Sequence, residues 1–101
     1  MILKIKDEYL ELIKLGKKQS TIRKGMAQVD SINLDLQAVS SEEIIKVEIT
    51  ELKFKKYKDI TLYDIHVDGF KTFEQFHETL LSFYPDLKDD DIMTIIYFDY
   101  K

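Results

Sequence analysis

The 101-residue sequence has no cysteine, one proline and three glycines. Without thiols there is no disulfide framework, no thiolate metal site and no cysteine nucleophile, so thiol redox chemistry is excluded. No apolar run approaches membrane-spanning length. Met1 to Glu8 interrupts its apolar residues with charges every second position, unlike the continuous apolar core of a signal peptide, and the expectation is a cytoplasmic protein with no membrane association. The two histidines, His66 and His77, have no His, Asp or Glu partner at a metal-motif spacing, and Asp86, Asp89, Asp90 and Asp91 lack the glycine and terminal glutamate of a calcium loop. No metal site is expected.

What is present is an uneven charge distribution. Residues 1–25 carry seven Lys/Arg against three Asp/Glu, whereas residues 26–101 carry eight against sixteen. A formal net charge of −4 argues against a generally basic nucleic-acid coat, so any nucleic-acid contact must be local. The local candidate lies between Gly16 and Gly25, where Lys17, Lys18, Arg23 and Lys24 accompany the hydroxyls of Ser20 and Thr21. Ammonium and guanidinium groups beside free backbone amides stabilise anionic oxygen. A solvated loop is the plainer alternative for any short basic run.

The length and an apolar share of 45% fit one domain, residues 1–101, with one modest core. Met1 to Lys6 alternates as a first strand, and Asp7 is placed as the N-cap of a helix to about Leu15 that stops at Gly16. Gln19 to Arg23 reads as extended, which puts Thr21 and Arg23 on one face and Ile22 on the other. Ser31 to Gln37 has strict period two, predicting a half-buried strand with Ile32, Leu34 and Leu36 inward. Ile44 to Phe54 alternates through Ile45, Val47 and Ile49 and then slips phase, which implies a bulge.

Lys53 to Lys58 is a second basic cluster with aromatics interleaved. It reads either as a binding surface or as charge protecting a strand edge. Thr61 is a cap for a short turn through Ile65. Thr72 and Gln75 have capping-box spacing before a helix through Phe73, Phe76, Leu80 and Phe83, which Pro85 ends. Ile92 to Tyr100 is apolar on both faces, as in a central strand covered on both sides. The order predicts an α+β fold on a small mixed sheet, closed or open.

Gly16-Lys17-Lys18-Gln19-Ser20-Thr21-Ile22-Arg23, followed by Asp68-Gly69-Phe70, a helix, Phe83-Tyr84-Pro85 and a final apolar strand, resembles the ASCH domain family of the PUA-like superfamily. The resemblance spans nearly the whole chain. It implies a PUA-like fold, a small mixed β-barrel flanked by helices, with a cleft lined by the basic segment and associated with RNA or modified-nucleoside ligands. No cofactor is expected. Small bacterial members include amidohydrolases acting on acetylcytidine through a lysine base, a threonine nucleophile and a glutamate proton donor, and others are ribonucleases. Lys18 and Thr21 match the first two roles. Asp68 stands nearest the third, one methylene shorter than glutamate, and Gly25-Met26-Ala27 replaces the family's usual Gly-Asp pair.

Two readings follow. In the first, Lys17, Lys18, Ser20, Thr21, Arg23, Lys24 and Asp68 hold an RNA segment or nucleoside-like ligand, with Phe70 or Tyr57 stacking a base. In the second, the protein is an N4-acetylcytidine-type amidohydrolase in which Lys18 activates Thr21, Arg23 or backbone amides stabilise the oxyanion and Asp68 protonates the leaving amine. Core packing for Phe70 and a turn role for Asp68 in Asp68-Gly69 are the plainer alternatives. A protein-interaction module working through the acidic surface ranks below both.

Overall fold

The computed structural model describes residues 2–100. Five strands form one mixed sheet in the order β1-β3-β4-β5-β2, where β1 is Ile2–Ile5, β2 Ser20–Lys24, β3 Asn33–Ala38, β4 Ile44–Lys56 and β5 Ile92–Tyr100. The β1–β3 pair is parallel and the other pairs are antiparallel. The helices are α1 (Asp7–Lys14), α2 (Leu62–Val67) and α3 (Phe73–Phe83). This is the α+β architecture expected from the sequence. No helix among the described residues is long and apolar enough to cross a membrane.

β5 explains the two-faced hydrophobicity of its sequence. Ile96 and Phe98 pack into one cluster with Leu10 and Ile13 of α1 and Leu34 and Leu36 of β3, while Met93, Ile95 and Tyr97 join Ile65 of α2 and Phe76 and Leu80 of α3. It is an interior strand between β4 and β2, with a helical layer on either face. The phase slip in β4 is a register shift between Ile49 and Glu51. It lets one 13-residue strand serve β3 at one end and β5 along most of its length.

β1 and β2 are the two edges of the sheet, and no ladder joins them among the described residues. The sheet is therefore open, but the edges curl close enough for Arg23 Nη2 to donate to the Lys4 carbonyl at 2.9 Å. A side chain bridges the seam where strand pairing would have closed a barrel.

Several local expectations need correction. The expected first strand includes Met1, which lies outside the described residues. Asp7 is the first residue of α1 and not its cap; its carboxylate accepts from the Ser40 and Ser41 amides at 2.9 and 3.0 Å and fastens the helix to the β3–β4 turn. Ile32 precedes β3 and is 60% exposed, although its carbonyl accepts from the Ile49 amide of β4 at 2.7 Å. Gln75 does not complete a capping box: its side chain accepts from the Lys71 amide, while Thr72 Oγ1 caps the Gln75 amide, each at 3.1 Å. The complete box belongs to Thr61 and Asp64 at the start of α2. Tyr84 caps α3 just ahead of Pro85, as the sequence indicated.

Candidate functional site

Gly16, at φ +76, ends α1 in the left-handed conformation that favours glycine. The amides of Lys17 and Lys18 then fold back onto the Leu12 carbonyl at 2.9 and 3.3 Å, and the Gln19 amide docks on Val67 at the end of α2. These bonds turn the Lys18 side chain inward, where it is 4% exposed. Its ammonium donates to the Asp68 carboxylate and, at 3.1 Å, to the Asp68 carbonyl, and sits 5.2 Å from the centre of the Tyr9 ring.

Asp68 caps the end of α2 beside Lys18, and the residue after it packs on the basic segment. Gly69, at φ +97, brings the backbone so near the basic segment that a Cβ there would lie 3.5 Å from Lys18 Cβ and 3.6 Å from the Lys17 carbonyl. Burial pushes the Asp68 carboxyl up to about 6, against the charges of Lys18 and Arg23, which pull it down.

β2 places the next two groups. Thr21 pairs with Ile96 and Arg23 with Thr94, so both face the same side of the sheet, as strand alternation requires. Arg23 Nε donates to Thr21 Oγ1 at 3.4 Å while Nη2 holds the Lys4 carbonyl. Burial lowers the guanidinium's pKa, against Tyr84 and Asp68, which raise it.

Lys18, Thr21, Arg23, Asp68 and Phe70 all line one cavity of about 340 Å³ at the open β1–β2 seam. Its wall is completed by Lys4 and Lys6, by Tyr9 of α1, and by Thr79, Phe83 and Tyr84 from α3 and its cap. Phe70 is a wall and a core residue at once, edge-on to both Tyr9 (6.4 Å) and Phe76 (5.5 Å).

Other residues expected at the site lie elsewhere. Ser20 points to the opposite face of β2, pairs with Tyr97, and has a buried hydroxyl without a hydrogen-bond partner among the described residues. Lys17 is exposed outside the cavity lining, and Lys24 faces Asp91 at 3.7 Å. Tyr57 stacks on Phe76 and its hydroxyl meets His77 away from the cavity, so it offers no platform there. The Lys53–Lys58 cluster is internally compensated: Lys53 faces Glu51, Lys55 faces Asp64, and Lys56 and Lys58 share Asp90. Reading by residue type missed Lys4, Lys6, Tyr9 and Tyr84. Only the Tyr84-Pro85 stop and the apolar face of Tyr9 signalled them.

Among the described residues no hydrogen bond joins Lys18 to Thr21. As arranged, the site offers a donor from Lys18 that its two Asp68 bonds leave over, the second Asp68 carboxylate oxygen, the Thr21 hydroxyl and one Arg23 nitrogen, between aromatic walls.

Solved structures share this architecture. The chain is similar to the ASCH domain from Lactobacillus crispatus JV V101, with a TM-score of 0.79 and 15% identity over 98% of this chain and 79% of that one. It is similar to the hypothetical protein PH0355, with a TM-score of 0.73 and 18% identity over 99% and 97% of the two chains. A mutant of ZmASCH from Zymomonas mobilis gives a TM-score of 0.70 and 14% identity over 97% and 67%. No protein-family model and no curated protein matches the sequence. At these identities the likeness is one of fold, that of the ASCH domain structures.

Proposed function

We propose that this ASCH-fold protein binds a single nucleobase with its sugar, as a free nucleoside or as one unit of an RNA strand, in the cavity at the β1–β2 seam. The observation that carries the reading is the convergence of the Lys18–Asp68 pair, Thr21 and Arg23 on one aromatic-walled hollow. A volume of about 340 Å³ falls at the small end of ligand pockets, roughly 300–1,000 Å³. That size suits one nucleoside and excludes a duplex. Adjacent donor and acceptor groups from Lys18 and Asp68 complement the amine and carbonyl on a base edge, and Tyr9 and Phe83 supply apolar area for its faces.

Titration of cytidine, N4-acetylcytidine and a short single-stranded RNA, followed by NMR, tests this. Saturable shifts at Tyr9, Thr21 and Phe70 are expected. Thr21→Val and Arg23→Gln should each weaken binding by roughly tenfold, as expected for a hydrogen bond lost in a desolvated site. No saturable response to any of the three ligands overturns the reading.

One observation favours a second reading, hydrolysis of an acylated nucleoside. Asp68, held at about 6, carries a proton for part of the time near neutral pH. If Lys18 hands its proton to Asp68, the free amine takes the Thr21 hydroxyl proton as the oxygen attacks the amide carbon. Arg23 then faces the oxyanion, Asp68 protonates the departing amine, and water releases the acyl group from Thr21. Cytidine release from N4-acetylcytidine that Thr21→Ala abolishes would establish this. Binding remains the conclusion because Lys18 is engaged with Asp68 and not with Thr21.

A further inference from the structure

We infer that the mouth of the cavity is a phosphate subsite formed by Lys6 and Arg23, so that its guests are anionic nucleotides in preference to neutral nucleosides. The inference rests on the nucleobase reading above and adds the class of ligand.

The charges around the hollow are not balanced. Its lining carries four cations, Lys4, Lys6, Lys18 and Arg23, and one carboxylate, Asp68. Lys18 already satisfies that carboxylate in the buried interior. Among the described residues, no carboxylate lies within ion-pair distance of Lys4, Lys6 or Arg23. Elsewhere, Lys14, Lys24, Lys46 and Lys53 to Lys58 face carboxylates, and Lys17, Lys71 and Lys88, also without an ion pair among the described residues, lie scattered outside the cavity lining. What sets the cavity apart is that three such cations, Lys4, Lys6 and Arg23, gather around one concave site, which raises the local concentration of anions there.

The two proposed ligating groups are differently prepared. Arg23 is fixed by its bonds to Thr21 and to the Lys4 carbonyl, and its remaining terminal nitrogen has no partner among the described residues. That makes it a rigid donor at the seam. Lys6 is exposed at the start of α1, and its ammonium lies 5.0 Å from the centre of the Phe83 ring and 5.9 Å from that of Tyr9. The ammonium therefore spans from β1 to α3 over the cavity wall. At an exposed site such ring contacts are weak compared with a charge-assisted bond to phosphate oxygen, so an incoming phosphate can take the ammonium from the rings. A base seated against Thr21 and the Lys18–Asp68 pair leaves its sugar substituent at this mouth.

Isothermal titration of cytidine and cytidine 5′-monophosphate side by side, at 50 and 300 mM salt, tests the assignment. The monophosphate should bind roughly tenfold tighter at the lower salt, and the advantage should shrink at the higher. Lys6→Gln should bring the ratio of the two affinities towards one. Lys46→Gln, at an 85% exposed lysine on β4 outside the cavity, should leave that ratio as it was. Inorganic phosphate at millimolar concentration should displace the monophosphate and not cytidine. A cytidine-containing oligonucleotide binding tighter than the monophosphate, with the same Lys6 dependence, supports the subsite with an RNA chain as the phosphate source. Equal affinities for cytidine and its monophosphate overturn the inference and leave the nucleobase reading standing. Failure of all of these ligands to bind overturns both.

Discussion

Lys18 and Asp68, 50 residues apart in sequence, form an ion pair whose side chains are 4% and 5% exposed. Such a pair gives little net stability over an apolar substitute, but removing one member strands a charge, at a cost of about 3–5 kcal/mol. Lys18→Met should therefore destabilise the fold strongly at pH 7.5. At pH 5 the orphaned Asp68 takes up a proton, since burial favours its neutral form, and the penalty should shrink. Urea unfolding of wild type and variant at the two pH values checks the difference. Equal penalties would show that the two charges are not coupled.

Two buried carboxyls give the stability–pH curve opposite slopes. Asp68, raised from 3.8 to about 6, binds its proton more readily in the folded chain, so its contribution favours folding below pH 4 and declines as pH rises from about 4 to about 6. Asp64 is lowered from 3.8 to about 2: burial pulls it up, but hydrogen bonds from Lys55, Thr61 and Tyr97 outweigh that. Its contribution is present above pH 4 and is lost as pH falls from about 4 to about 2. Thermal melts between pH 2 and 7 should show both limbs. Asp68→Asn should flatten the limb between pH 4 and 6 and leave the acid limb in place.

The side chains of β2 could be read from alternation, and the same rule corrects the reading. Period two put Thr21 and Arg23 on one face, where they are found; applied one residue earlier, it places Ser20 on the other, with Ile22. Grouping Ser20 with the site followed its chemistry instead of its phase. Ile32 failed for a related reason, since its apolar character continued the pattern one residue beyond the start of β3, where the side chain is exposed. The resemblance implied a cleft lined by the basic segment, but the shape of the cavity and its other walls were not legible. That shape depends on β1 and β2 becoming facing edges of one curled sheet, a relation between segments that no local pattern encodes.

Gly69 follows Asp68 in the left-handed region and packs beside Lys18, which makes it the backbone position to perturb. At φ +97 an alanine is strained even though its nearest contacts, from 3.5 Å, are ordinary, and about 1–2 kcal/mol is expected. Gly16→Ala, at φ +76 with nothing within 4 Å, should cost about 1 kcal/mol through the left-handed conformation alone. The two variants should separate in ligand titrations. Gly69→Ala displaces Asp68 and weakens nucleoside binding severalfold, whereas Gly16→Ala lowers the melting temperature without that loss.

Asp64 is the other buried carboxylate, and its role is structural. Its oxygens accept from the Tyr97 hydroxyl at 2.8 Å, from Lys55 Nζ at 2.6 Å and from the Thr61 amide at 3.0 Å, joining α2 to β4 and β5 outside the cavity lining. Asp64→Ala strips three donors of their acceptor at once and should cost about 3 kcal/mol or more. Tyr97→Phe removes one bond and leaves the carboxylate its other two, so about 1 kcal/mol is expected. The double variant should lose less than the sum, because the tyrosine bond is already gone once Asp64 is absent. Chemical denaturation of the four proteins measures that coupling. Nucleoside affinity should change less than about twofold in Tyr97→Phe, since a bond on the α2 face is separable from the β1–β2 seam and mutations without shared partners act independently.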